Sequence, residues 1–265
     1  YGIFQDMLEG LRELNSYGGA REEWAFDTEA FKIVAENMCV EAGVTLMYHG
    51  FLAAANTAEG RITSIEVATK DGLKTFTAKV FVDSTGDADL SFFAGAETEK
   101  GREEDGLAQP MTLNFRMAGV DIEAMPSRRE MTEAYIKAKE AGRIRCPRED
   151  ILFFFTTQPG VVHFNQTRVI KHAAVDPESM TKAEIEARRQ AWEISRWLIE
   201  EIPGFANAYL QQTGAQLGVR ESRRVMGDYL LTEEDLFTPH RFDDVIACGS
   251  YPVDIHNPSG EGTVL

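Results

Sequence analysis

The chain has 265 residues, enough to bury a sizeable core in one large or two intimate domains. Its 27 basic and 43 acidic side chains leave a formal charge of −16, which excludes the broad basic footprint of a nucleic-acid or anionic-membrane binder. With 43% hydrophobic and 26% charged residues the composition is globular, no apolar run approaches the ~20 residues of a membrane span, and an anionic ligand has to be met by a local arginine cluster.

In chain order, Ile3, Phe4, Met7, Leu8, Leu11 and Leu14 recur at helical spacing from the third residue, as in a piece cut from a longer protein. Gly18-Gly19 breaks the pattern. Asp27 is placed to cap a second helix through Phe31, Val34, Ala35 and Met38, with Gly43 at its end, and Val44 to Tyr48 reads as a short strand. From Phe51 to Val82 the period falls to two: Ile65 and Val67 share one face, Ser64 and Glu66 the other, and Asp71-Gly72 is a hairpin turn. This β-meander feeds the stretch Val80 to Leu90. Val80 to Val82 offer apolar side chains to both faces, as a covered central strand does. Gly86 has no Cβ to keep a ligand away, and Asp87 or Ser84 can cap the amides opening the next helix. Such an edge suits a phosphate or a flavin, although strand–turn–helix joints also occur throughout α/β proteins without one.

Further along, Glu97 to Gln109 is polar and reads as a loop, Met111 to Met117 as a strand, and Ser127 to Glu130 as a capping box for a helix that Gly142 stops. Ile151 to Phe155 and Val161 to Val169 read as strands around Gln158-Pro159-Gly160. Thr181 to Glu184 opens the longest helix, which runs to about Ile202 and places Trp192, Ile194, Trp197, Leu198 and Ile202 in the core. From Gly214 to Leu265 the chain reads as strand-rich. Cys39, Cys146 and Cys248 are far apart with no C-x-x-C and read as free thiols, while the five histidines show no metal spacing, so no metal is expected. Such a chain fits the cytoplasm, although a leader ahead of Tyr1 is compatible with it.

Two clusters could carry chemistry. Arg220, Arg223 and Arg224 put three guanidiniums into five positions of an acidic chain. They form either a clamp for a carboxylate or phosphate, or an ion-pair network with Glu221, Asp228 and the acidic surface. In Ser250 to Pro258, alternation sets Asp254 and His256 on one face, where the carboxylate can orient the ring and raise its pKa toward general acid–base use. A satisfied structural histidine is the competing reading. No G-x-G-x-x-G, G-x-x-x-x-G-K-[ST] or G-x-S-x-G is present.

Asp83-Ser84-Thr85-Gly86-Asp87 resembles the "acid-small-Thr-Gly-Asp" turn of the FAD-dependent oxidoreductase family. The resemblance continues through Ala94-Gly95-Ala96, Gly101-Arg102-Glu103, Asp105-Gly106 and Gln109 to Leu113. It resumes at Gly218 to Arg224 and Gly227 to Thr232, and ends at Tyr251-Pro252-Val253-Asp254-Ile255-His256. It implies a two-dinucleotide-fold, glutathione-reductase-like flavoprotein: an α/β fold with an α+β part. A partial Rossmann-like FAD domain with a β-meander would occupy residues 1–100. A mixed, mainly antiparallel β-sheet substrate domain with flanking helices would occupy 101–265. By that resemblance Ser84, Thr85, Gly86 and Asp87 lie near FAD, while Arg220, Arg223, Arg224 and His256 face a small, anionic substrate. The chain departs from the family pattern in having neither the glycine-rich βαβ nor the C-terminal return, so it is expected to be an interior portion that holds FAD poorly by itself. Two other readings stay open. One is a uronate-binding module or polysaccharide lyase, with Arg220, Tyr251 and His256 handling the carboxylate and protons. The other is an inert structural fragment.

Overall fold

A computed structural model describes residues 2–238, 241–249, 252–260 and 262–264. Helix α1 (Ile3–Glu13) buries Leu11, and α2 (Thr28–Glu41) packs on it through Val34. Gly10 permits this approach, since a Cβ there would fall 2.7 Å from Val34 Cγ1. Asp27 caps α2 as its position predicts, accepting from the amides of Glu29 and Ala30 at 2.8 and 3.2 Å. Gly43, at φ +76°, ends it.

Strands β1 (Phe51–Ala58), β2 (Arg61–Thr69) and β3 (Gly72–Phe76) form the antiparallel meander that period-two spacing predicts, with the second turn one residue earlier than expected, at Lys70-Asp71, and Gly72 paired with Thr69. The two apolar strands expected on either side of it do not form. Val44 to Tyr48 and Val80 to Val82 belong to no strand, and Val80 and Val82 are 75% and 79% exposed. An apolar segment becomes a central strand only when neighbours satisfy both of its edges, and no described residue supplies them.

Beyond the short helix α3 (Asp89–Phe93), the expected loop contains β4 (Thr98–Lys100). Strand β5 (Phe115–Ala118) starts later than predicted, because Met111 and Thr112 form single bridges to Val169 and Gly218 instead. Helix α4 (Arg128–Glu140) begins at the predicted Ser127–Glu130 capping box. Strands β6 (Phe153–Phe155) and β7 (Val162–Phe164) flank the Pro159 turn. Helix α5 (Pro177–Glu201) starts a turn before Thr181, because Asp176 caps it and Pro177 presets its first φ. Strand β8 (Tyr209–Thr213) then completes an antiparallel sheet ordered β6-β7-β5-β8.

One face of this sheet builds the main core. Phe115 and Phe164 stack at 5.0 Å, and Met117, Phe153 and Val162 join Met131, Tyr135, Ile194, Trp197 and Leu198 from α4 and α5. Trp192 is an exception to the expected core: it is 58% exposed on the outer side of α5. The remainder of the chain is less strand-rich than its pattern predicts, with β9 (Arg223–Val225), α6 (Glu233–Phe237), β10 (Ile255–His256) and β11 (Thr263–Val264) its regular elements among the described residues. Strand β9 pairs with β4, and β10 with β11. The fold is mixed α/β, and every ladder among the described residues is antiparallel.

Candidate functional site

The β4–β9 ladder sets Lys100, Glu99 and Thr98 opposite Arg223, Arg224 and Val225, and so carries the arginine cluster to the glycine turn. Between them opens a cleft of about 880 Å³, lined by Gly86, Arg102, Gln109, Arg220, Arg223 and Arg224 and floored by Ile255, Asn257 and Pro258.

Asp83 builds the turn. Its Oδ1 accepts from the Thr85 amide and hydroxyl at 3.1 and 2.8 Å, and its Oδ2 from the Ser91 amide and hydroxyl at 2.9 and 2.7 Å. Partial burial pushes this carboxyl up, but the bonds from Ser91 and Thr85 outweigh it and hold the pKa at about 2. Thr85 Oγ1 in turn accepts from the Asp89 amide at 2.8 Å. The capping expected of Asp87 or Ser84 is therefore performed by Thr85 and Asp83, whose oxygens reach the α3 amides directly. Ser84 and Thr85 are exposed. Gly86 has φ +83° and nothing within 4 Å of the place where a Cβ would sit. Asp87 gives its carbonyl to Arg223.

The arginines divide by partner. Arg223 donates to the Asp87 carbonyl at 2.8 Å and to Asp89 at 2.7 Å, with its guanidinium 4.2 Å from the centre of the Phe92 ring. Arg224 pairs with Glu221 and donates to the Gly101 carbonyl at 2.8 Å. For these two, the ion-pair reading describes what is present. Arg102, which sequence reasoning left among the motif residues, forks onto Asp105 at 2.9 and 2.7 Å and reaches Ser259 at 2.7 Å. Arg220 lines the first cleft and also a second one of about 580 Å³ beside Arg148, Asp254 and His256.

His256 is buried, and its surroundings reverse the direction expected from Asp254. Arg168, 2% exposed, donates to His256 Nδ1 at 3.1 Å, to Glu149 at 2.9 Å and to the Gly260 carbonyl at 3.2 Å. A guanidinium only donates, so Nδ1 is the acceptor and the ring proton sits on Nε2, 3.4 Å from Asp254 Oδ1. Burial lowers the His256 pKa and nearby Arg220 adds to this, with Arg168 and Arg148 acting the same way. The opposing pull of Asp254 is too small to restore it. The His256 amide donates to Gln109 Oε1 at 3.1 Å, which seats the segment on the cleft. Arg148, Glu149 and Arg168 escaped the sequence reading. The signal was there in Asn165-Gln166-Thr167-Arg168, a polar run inside an expected core strand, since polar residues in such a place need buried partners. Tyr251 lies outside the described residues.

No curated protein matches the sequence. Two solved structures that resemble the chain are a flavin-dependent brominase, Bmp2, at 13% identity and a TM-score of 0.42, and the OxyS anhydrotetracycline hydroxylase from Streptomyces rimosus, at 12% and 0.41. The matches cover 77% and 83% of this chain but 47% and 42% of those proteins, so the chain spans less than half their length. The model of the family described as FAD dependent oxidoreductase matches residues 1–264, and the chain therefore belongs to that family, whose cofactor is FAD.

Proposed function

We propose that the chain is the interior portion of an FAD-dependent oxidoreductase that passes hydride between a small, anionic organic substrate and the flavin. The observation that carries the reading is the cleft that opens on Gly86 and gathers Arg102, Arg220, Arg223 and Arg224. In this reading residues 1–100 are the partial, Rossmann-like FAD-domain region and 101–265 the substrate domain. The apolar stretches Val44 to Tyr48 and Val80 to Val82 support the former, being the composition of strands covered on both faces.

The residues present fit part of FAD. At Gly86 the backbone can touch a flat ring, because no side chain intervenes and the volume beyond is open. The pyrophosphate finds less, since Asp83, Asp87 and Asp89 surround the turn with carboxylates. When bound, FAD supplies the redox chemistry. The chain's own residues do the rest. Asp83 and Thr85 fix the turn, Arg223 ties it to β9, and Arg224 holds the Gly101 loop. Arg220, at the junction of the two clefts, is placed to meet an anionic group, and His256 lines the second cleft with its Nε2–H toward Asp254.

Binding of FAD to the intact protein, followed by quenching of flavin fluorescence, tests this. Gly86→Val, which fills the open space, and the double change Arg223→Gln with Arg224→Gln are each expected to weaken FAD at least about tenfold. Unchanged affinity in both would remove the cleft from the flavin site.

A further inference from the structure

A separate cleft of about 440 Å³ lies on the outer face of the four-stranded sheet and shares no lining residue with the arginine cleft. Strand register creates its floor: Phe154 of β6 lies opposite His163 of β7, which lies opposite Arg116 of β5. The segment leading into α2 roofs it with Trp24 and Phe26.

Three features of the cleft call for a ligand. Trp24, Phe26 and Phe154 are 75%, 42% and 40% exposed around one concavity, so an apolar body placed there removes aromatic surface from water. Arg116, which extends into the same lining, makes one hydrogen bond, to Thr28 Oγ1 at 3.2 Å, and no ion pair among the described residues. In a chain of net charge −16 a half-buried guanidinium without a carboxylate is out of the ordinary, and its remaining donors match a carboxylate fork. Finally, the His163 ring lines the cleft, and its Nδ1 is buried with no hydrogen-bond partner. Glu22, the acid of this lining, disfavours a second negative charge.

We propose that this cleft binds a small apolar monocarboxylate, with its charge on Arg116 and its body between Trp24, Phe26 and Phe154. The cleft shares no lining residue with the arginine cleft at Gly86 and meets the second cleft, beside His256, at Phe154.

Calorimetric titration of the intact protein with phenylacetate, and with phenylacetamide as the neutral isostere, decides the matter. Phenylacetate is expected to bind at least about tenfold more tightly than the amide. Arg116→Gln is expected to abolish that preference while Arg220→Gln leaves it intact. Should Arg116→Gln not fold, Phe154→Ala is expected to weaken both ligands alike by about threefold or more. The proposal is overturned by absence of phenylacetate binding up to about 10 mM. It is equally overturned by equal affinity for acid and amide, by a preference lost in Arg220→Gln but kept in Arg116→Gln, or by unchanged affinity in Phe154→Ala.

Discussion

His256 shows how a neighbour's identity can mislead when its own neighbours are unseen. A carboxylate two positions away predicts a raised pKa, yet burial and three arginines drive it down. The consequence for stability follows from proton uptake. The folded pKa lies below the ordinary value of about 6.5, so as pH falls through 6.5 the unfolded chain takes up a proton that the folded chain refuses. The neutral ring's contribution is complete above 6.5 and is lost between that value and the folded pKa. Ring NMR resonances followed against pH are expected to place the His256 midpoint below 6.5, and His256→Gln to flatten the fall in stability just under it. A midpoint at or above 6.5 would mean that the arginines do not face the ring as described.

At the scale of elements, the loop between β4 and β5 is fixed by a backbone contact. Gly101 sits at φ +65°, and a Cβ there would overlap the Gly106 carbonyl, while the Arg102 amide bonds Leu107 and the Arg102 side chain closes on Asp105. Gly101→Ala is expected to destabilise the protein by about 2 kcal/mol or more, measured as a lower urea midpoint. The helices were largely legible in the sequence, because their signals are local: the Asp27 cap, the Ser127–Glu130 box and the Gly43 and Gly142 stops all lie within a few residues of what they control. The meander was legible for the same reason, through a turn signal within one residue of the true turn and a two-residue period along β2. What escaped depends on distant partners. The β4–β9 ladder joins two short polar segments with no periodicity to betray them, and Arg168 meets Glu149 on one side and His256 and Gly260 of a single C-terminal segment on the other. The arginine cluster and Gly86 were both visible in the sequence, but not that one cleft holds them.

For the molecule as a whole, the distribution of charge and exposed apolar surface sets the expectation. The cleft concentrates guanidiniums inside an acidic chain, while Val80 and Val82 lie open to water beside the turn that the flavin would approach. Because the described residues offer no glycine-rich turn leading into a long helix to cradle a pyrophosphate, the 265-residue chain produced by itself is expected to purify without visible flavin absorbance. A yellow preparation carrying FAD in stoichiometric amount would contradict that.

The bond from Arg223 to Asp87 spans 136 residues of sequence, and this separation governs when the cleft can come into being. At a ribosomal pace of roughly 5–20 residues per second, the turn emerges on the order of ten seconds before the arginine that anchors it. During that interval β4 exposes a bare strand edge and the Asp83 turn stands alone, so early release or a stalled ribosome yields a species prone to aggregate rather than a smaller working site. Closing the cleft is thus a late event in the life of each new chain.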